Sequence, residues 1–376
     1  MMTLRMENFR VLRKVDWDPE GVSLLTGPNG SGKTTMLDAL EFLRGLFLYG
    51  HESGFSAVGG SYFRRLGTPP EEPVSFEVEV GAVRWVLRFP MSMTGLRGQY
   101  GEELYHGEQR VLRAGVFEEG WTLHLDGEEQ RLQVDERRCC AKVLWDMGRA
   151  PWMKPLVSAL GDMQIHHVYD LEQVRQHQAA AGISTLHGTG RNLWSVLSTW
   201  SQARIRYGGR YQWVMAEARR AFPDIFGTLE FDRGLPYLFG PNASDPADGL
   251  PPSRAADGLL TGLLHLTAIA GVQDGAVLAF DEVENQLHPH AIHSILRAMR
   301  AQAEARDLTI ILTTHAPVVL NMFKGQEDRI FVLQQPSEGP LPRPLDELHD
   351  PDWLAYFVLG DLYERLEFGA PRSQEG

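Results

Sequence analysis

Eight consecutive residues, Gly27-Pro28-Asn29-Gly30-Ser31-Gly32-Lys33-Thr34, fit the pattern G-x-x-x-x-G-K-T in full. The chemistry they suit is phosphate binding. Glycines let successive backbone N–H groups converge on phosphate oxygens, and a helix starting at the lysine turns its N-terminal dipole toward the same charge. Lys33 can reach the β- and γ-phosphates of a nucleotide, and the Thr34 hydroxyl can hold Mg2+. Gly27 through Thr35 are therefore the candidate nucleotide contacts, with ATP and Mg2+ as the implied ligands.

Two carboxylates close an apolar run at Val277-Leu278-Ala279-Phe280-Asp281-Glu282. In a phosphate-loop protein an acid at such a strand end binds Mg2+, which suits Asp281. Glu282, one residue on, can polarise the attacking water as general base. His315, in "IILTTHAP", ends another apolar strand, where an imidazole can touch a γ-phosphate or its water. Each feature alone is commonplace, since strand ends often carry solvated acids or a histidine. Behind an intact phosphate loop they form a set. The candidate catalytic residues are Lys33, Glu282 and His315, and the candidate Mg2+ ligands are Thr34 and Asp281.

These residues need rigid elements to hold them. Val22 to Thr26 reads as a buried strand, and Met36, Leu37, Leu40 and Leu43 recur at helical spacing behind Lys33. From about Val74 to Val134 the pattern turns to period two, as in "VSFEVEV" and "VRWVLRF", which predicts an antiparallel meander. A helical stretch follows, with Leu193, Val196, Leu197 and Trp200 on one face and Tyr211, Val214, Met215, Ala218 and Phe222 on another. Residues 240–254 are rich in Pro, Asp and Gly and read as a loop. Strand and helix then alternate again through "TIILTT" and "IFVLQ", with Pro289 suited to a helix first turn.

The nucleotide-type unit is thus split. Residues 1–135 hold the phosphate loop and a β subdomain, 136–240 a helical insertion, 241–345 the acid pair and the histidine, and 346–376 a helical tail. The predicted fold class is α/β: a mixed-sheet P-loop NTPase core with an antiparallel β subdomain and a helical insertion.

Composition narrows the function classes. The chain has 376 residues, 43% hydrophobic and 23% charged, with 36 Lys+Arg against 49 Asp+Glu for a net charge of −13. Wrapping of nucleic acid by the bulk charge is excluded, so any contact with it needs a local patch or a partner. One such patch is Arg204, Arg206, Arg210, Arg219 and Arg220, interleaved with Tyr207, Tyr211 and Trp213; a solvated helix face is the preferred reading. The adjacent Cys139 and Cys140 read as free, core-facing thiols of a reducing compartment. No signal pattern opens the chain and no apolar run is long enough to span a bilayer, so a cytoplasmic protein without membrane contact is expected. His288, His290, His293 and His315 could suggest zinc, but without a Cys or Asp set at ligand spacing a helix-start cluster is the better reading. The tail "DPDWLAYFVLGDLYERLEF" reads equally as a helix docked on the core or as a partner contact.

Beyond these single motifs, "ENFRVLRKVDWDPEGVSLLTGPNGSGKTTMLDALEFL", "GTGRNLWSVLSTW", "DGLLTGLLHLTAI", "FDEVENQLHPH" and "TTHAPVVLN" together resemble ABC-class ATPases of the RecF/SMC-like and OLD-type groups. These serve bacterial DNA repair and anti-phage defence. The resemblance implies an ABC-ATPase head that forms a homodimer around two Mg-ATP, each site using one subunit's phosphate loop and the other's signature. Asp257-Gly258 would be that signature, Glu284 to His288 the loop communicating between sites, and Arg10 the N-terminal arginine near the nucleotide. Gln164 is the candidate for the glutamine loop.

Two positions depart from the pattern: Ala256 stands where the signature has Ser, and Val283 where the loop has Pro. Loss of that hydroxyl removes a donor worth roughly 1.5–3 kcal/mol, so weakened dimerisation and slow hydrolysis are expected. Too little chain follows His315 for a Toprim nuclease, which leaves an effector nuclease to be supplied in trans. The alternatives are a repair or chromosome-associated ATPase and an ATP-gated scaffold with little turnover. The ATPase of a transporter is disfavoured by the long separation of Lys33 and Asp281.

Overall fold

Alternation in the sequence becomes sheet. In the computed structural model, Val74–Val80 buries every second side chain, and it is one of eight antiparallel strands. Their order is Leu12–Trp17, Met2–Phe9, Val74–Val80, Val83–Phe89, Gly101–His106, Gln109–Gly115, Trp121–Leu125 and Glu128–Leu132. Register runs Leu4↔Val78, Val78↔Trp85 and Trp85↔Leu104, so alternate residues of each strand share one face. The structure describes residues 2–58, 63–69, 71–90, 100–115, 121–125, 128–132, 138–176, 179–180, 182–334, 339–366 and 368. The expected end of the meander at Val134 and the last residues of the tail lie outside that set.

The chain divides into two compact units. The first comprises residues 1–163, 326–356 and 365–376. It holds the antiparallel sheet and a smaller set in which Val22–Thr26 runs parallel to Ile330–Val332, itself antiparallel to Arg343–Pro344. Val22–Thr26 is buried along its whole length, as its unbroken apolar pattern requires. The helix Lys33–Tyr49 buries Met36, Leu37, Leu40 and Leu43. Its Phe42 packs among Phe55, Phe63, Phe76 and Phe89 at centroid distances of 5.0–5.5 Å. This aromatic cluster anchors the helix that begins at the phosphate loop.

A buried acid braces the same unit. The Glu102 carboxyl, fully buried, accepts from Trp85 Nε1 (2.8 Å), Tyr100 OH (2.7 Å) and the backbone N–H groups of Cys140 and Ala141 (both 2.8 Å). Cys139 Sγ adds a longer contact at 3.3 Å. Both cysteines are free and buried, and desolvation followed by the nearby Glu102 pushes their thiols well above the ordinary range, so they are inert. Glu102→Ala strands four strong donors in the core, and a loss of about 3–5 kcal/mol in unfolding free energy is expected by urea denaturation. An unchanged midpoint would refute that bracing role.

The second unit comprises residues 164–325 and 357–364. Gln164–His166, Val277–Phe280 and Thr309–Thr313 form parallel strands in that order. Helices Leu193–Gln202, Arg204–Ala221, Asp257–Gly271 and Pro289–Arg306 pack against one another, and the last also against Thr309–Thr313, Pro289 lying in its first turn as expected. A hairpin, Thr228–Asp232 with Leu235–Phe239, turns at Arg233 and Gly234, both with positive φ (48° and 81°), the geometry of a two-residue primed turn.

The arginines of the helical segment are partly structural. Arg210 donates to the Gly271 carbonyl (3.0 Å), where Arg306 also donates to the Ile269 carbonyl (3.0 Å), so two cations serve the C-terminal end of the helix Asp257–Gly271. Arg219 bonds the Gly227 carbonyl and Arg220 pairs with Glu217. No helix among the described residues is long and apolar enough to cross a membrane.

Candidate functional site

In the first unit the strand Val22–Thr26 ends in a loop that only glycine can build. Gly27, Gly30 and Gly32 have φ of 149°, 78° and 112°. A Cβ at Gly27 would lie 2.2 Å from the Leu333 carbonyl oxygen, and one at Gly32 would lie 2.6 Å from Leu12 Cδ2. Leu333 is held there by its own N–H on the Thr26 carbonyl (2.8 Å). Lys33 is buried, and its Nζ donates to the carbonyls of Gly27 (2.7 Å) and Pro28 (3.0 Å), which folds the ammonium over the loop.

The Ser31 hydroxyl is buried without a hydrogen-bond partner among the described residues, and the first turn of the helix carries no acid. Backbone donors, one cation, an unsatisfied hydroxyl and a helix N-terminus form a donor set that fits a polyphosphate. Thr34 is exposed at the helix start, where a hydroxyl can take Mg2+, and Thr35 is buried beside it. Arg10 has positive φ (50°), and its guanidinium pairs with Asp38 on the second turn of this helix.

The second unit holds the acids and the histidine at the carboxyl ends of its parallel strands. Asp281 donates its N–H to the His166 carbonyl (2.9 Å), and its carboxylate accepts from Thr313 Oγ1 (2.5 Å) and lies 3.4 Å from His167 Nδ1. Glu282 adopts a left-handed backbone, φ 48°, at a cost of roughly 1–3 kcal/mol for a residue with a side chain. Three contacts hold it there. Its N–H donates to Thr313 Oγ1 (2.8 Å), Val283 N–H donates to the Thr313 carbonyl (3.2 Å), and His265 Nε2 lies 3.3 Å from the Val283 carbonyl. Asn285 Nδ2 donates to the Glu282 carboxylate (3.0 Å). The carboxylate direction is therefore fixed by the backbone, which suits a base that must face one water.

His315 donates its backbone N–H to Glu284 Oε1 (3.1 Å), and burial raises the Glu284 carboxyl above its usual range. A cavity of about 110 Å³ is lined by Asp281, Glu282, His167, Tyr169, Thr261 and His265. Gln164 begins its strand opposite Leu278, three residues before His167, so the glutamine sits at the end of the strand away from Asp281. His167, rather than the candidate Gln164, lies at the carboxyl end of that strand, 3.4 Å from Asp281.

Asp257-Gly258 opens a helix buried from Leu259 onward, with Ala256 as its exposed, uncapped N-cap. The Asp257 carboxylate pairs with Arg175, which also donates to the Ala255 carbonyl (3.1 Å). Gly258 is required by close approach: a Cβ there would stand 2.7 Å from the carbonyl oxygen of Gln286, in the loop after the acids. His288 caps the next helix by accepting from His290 N–H at 3.4 Å, which suits the helix-start reading of that cluster.

Sequence reasoning missed Thr313, His167 and His265. Thr313 is one of two threonines in "TTHAP", and nothing in its type separates a ligand-positioning hydroxyl from a strand residue. Burial holds the two inner histidines neutral: desolvation chiefly lowers His166 to about 4 and His265 to about 3. The unfolded chain takes up protons near pH 6.5 that the folded chain refuses. Stability is therefore full above about pH 6.5 and falls as the pH drops toward the folded values. A melting midpoint that declines between about pH 6.5 and pH 4, less steeply in His265→Gln, is the expected result. Equal slopes in the two proteins would refute it.

A profile of the family described as "AAA domain, putative AbiEii toxin, Type IV TA system" matches residues 22–156 and 238–321, more than half of the chain. The chain belongs to that family. It is a P-loop domain of the AAA kind, with a mixed α/β architecture. The hemin import ATP-binding protein HmuV of Mesorhizobium japonicum is 30% identical over 154 residues. That alignment covers 34% of this chain and 59% of the relative, so the match spans less than two thirds of the relative's length.

Among solved structures, an SMC head bound to the C-terminal winged-helix domain of ScpA aligns over 88% of this chain and 93% of its own, at 13% identity and TM-score 0.44. The SMC head domain of Thermotoga maritima aligns over the same shares at 16% identity and TM-score 0.39. Superpositions this loose add nothing to the family assignment. The family matches leave residues 157–237 outside them, the span that includes His167 and the helices Leu193–Gln202 and Arg204–Ala221.

Proposed function

We propose that the chain hydrolyses ATP slowly as the head of a homodimer closed around two Mg-ATP, and that it acts as the sensor or regulatory subunit of an OLD-type anti-phage defence complex whose effector, a nuclease, is a separate subunit. The observation that carries the hydrolytic reading is Glu282. Its strained backbone is clamped by Thr313 Oγ1 and by the flanking contacts of Val283, next to an Asp281 fixed by the same hydroxyl.

In this reading Gly27 to Thr35 wrap the phosphates, with Lys33 on the β- and γ-oxygens. Thr34 and Asp281 would hold Mg2+, whose charge would offset that of the phosphates. Glu282 takes the proton of the attacking water, and His315 donates to the γ-phosphate. Arg10, already committed to Asp38, supports the phosphate-loop helix. Asp257 and Gly258 present the helix N-terminus to the nucleotide of the partner head. Action in the cytoplasm, on repair substrates or on a nucleic-acid trigger belongs to the same proposal.

Position 256 supplies the test. Alanine offers neither a cap to its own helix nor a hydroxyl to the partner's γ-phosphate. Sedimentation of Glu282→Gln with Mg-ATP is expected to show a nucleotide-dependent dimer, and adding Ala256→Ser is expected to tighten it about tenfold. A chain that stays monomeric with Mg-ATP in both variants would refute the head dimer.

A further inference from the structure

The segment after residue 356 returns to the loop that follows His315. Lys324 Nζ donates to the Phe357 carbonyl (2.9 Å), and Gly360 N–H donates to Asn321 Oδ1 (2.7 Å). Gly360 also abuts Pro317 so closely that a Cβ would lie 2.7 Å from Pro317 Cβ and 2.8 Å from its carbonyl oxygen. Leu359 and Leu362 are buried. These contacts seat the helix that starts at Leu359 on the turn Pro317–Asn321, and they bring Tyr363 OH to 3.4 Å from His315 Nδ1. Tyr363 itself is buried, with 7% of its surface exposed.

The two ring nitrogens of a neutral histidine have opposite roles. If Nδ1 donates to the tyrosine oxygen, Nε2 carries a lone pair and repels a phosphate oxygen. If Nδ1 accepts from the tyrosine hydroxyl, Nε2 carries the proton and can donate. Only the second arrangement serves a histidine facing a γ-phosphate. The backbone N–H of His315 is held by Glu284 Oε1 (3.1 Å), while Tyr363 meets the ring.

We propose that Tyr363, delivered by the C-terminal segment, is a positioning residue for ATP hydrolysis that holds His315 in the tautomer presenting Nε2–H to the γ-phosphate. The inference rests on the proposed role of His315 in ATP hydrolysis. It makes the tail part of the catalytic apparatus, a role that neither a passive docking helix nor a partner contact alone would give it.

Steady-state phosphate release by the full chain tests it in four proteins: wild type, Tyr363→Phe, His315→Ala and the double variant. Tyr363→Phe keeps the ring and its packing, and melting midpoints report folding in each. The expected result is a kcat lowered about threefold to tenfold by Tyr363→Phe with KM for ATP unchanged, a larger loss in His315→Ala, and no further loss in the double variant. A wild-type kcat in Tyr363→Phe overturns the inference while leaving the role of His315 standing. So does an equal fold-loss with and without His315, which would mark a merely structural effect. A wild-type kcat in His315→Ala removes the catalytic role of the histidine, and the inference with it.

Discussion

Lys33→Ala is expected to abolish ATP hydrolysis and to weaken ATP binding by at least about tenfold, because it removes charge-assisted contacts worth roughly 1.5–3 kcal/mol each. The loop need not collapse. Lys33 Nζ donates to the carbonyls of Gly27 and Pro28, while the loop's shape comes from the positive φ of Gly27, Gly30 and Gly32 and from packing against Leu333 and Leu12. A melting midpoint close to wild type is therefore expected together with the loss of binding. Calorimetric titration with Mg-ATP and a thermal melt of the same sample separate the two effects. Wild-type affinity in Lys33→Ala would remove Gly27 to Thr34 from the nucleotide site.

Much of the architecture was legible because it is periodic or punctuated. The meander announced itself by alternation in Val74–Val80, and the phosphate-loop strand by an unbroken apolar run flanked by glycine. The stretch Asp257-Gly258 has the composition of a hairpin turn, yet the leucines that follow recur at helical spacing, and the helix Asp257–Gly271 forms. The hairpin at Arg233-Gly234 was not read. Its strands are five residues each, too short for period two to stand out beside the helical patterns around them.

Long-range polar pairing was the least legible part. Glu102 precedes another glutamate in a strand of mixed polarity, and that neighbour, Glu103, pairs with Arg88 and Arg110. Only the fold reveals that Glu102 points the other way, into Trp85, Tyr100 and the start of the helix at Cys140. Arg210 presents the same difficulty. In sequence it belongs to a basic cluster suited to a solvated face, whereas in the structure it serves the carbonyl of Gly271, 61 residues away. Local charge pattern reports valence and spacing; it does not report which side of the backbone the core occupies.

Glu282→Gln is expected to lower kcat by about 100-fold to 10,000-fold, the range of a positioned general base, while ATP affinity stays within a few fold of wild type. Gln keeps the shape and can still accept from Asn285 Nδ2, so the clamp formed by Thr313 Oγ1 on the Glu282 N–H survives the change. What is lost is the capacity to take a proton. Single-turnover phosphate release from ATP-loaded protein measures the chemical step directly, and rates equal to wild type would eliminate Glu282 as the base. The same variant separates an ATP-hydrolysing switch from an ATP-gated scaffold. If turnover drives function, Glu282→Gln and Lys33→Ala fail alike in the cell, one trapped with ATP and the other unable to hold it. If closure alone is the signal, Glu282→Gln retains activity and only Lys33→Ala loses it. In the proposed head dimer the uncapped, exposed Ala256 would weaken closure, and a weakly closed head would stay closed longer the slower it hydrolyses ATP, which favours the second outcome.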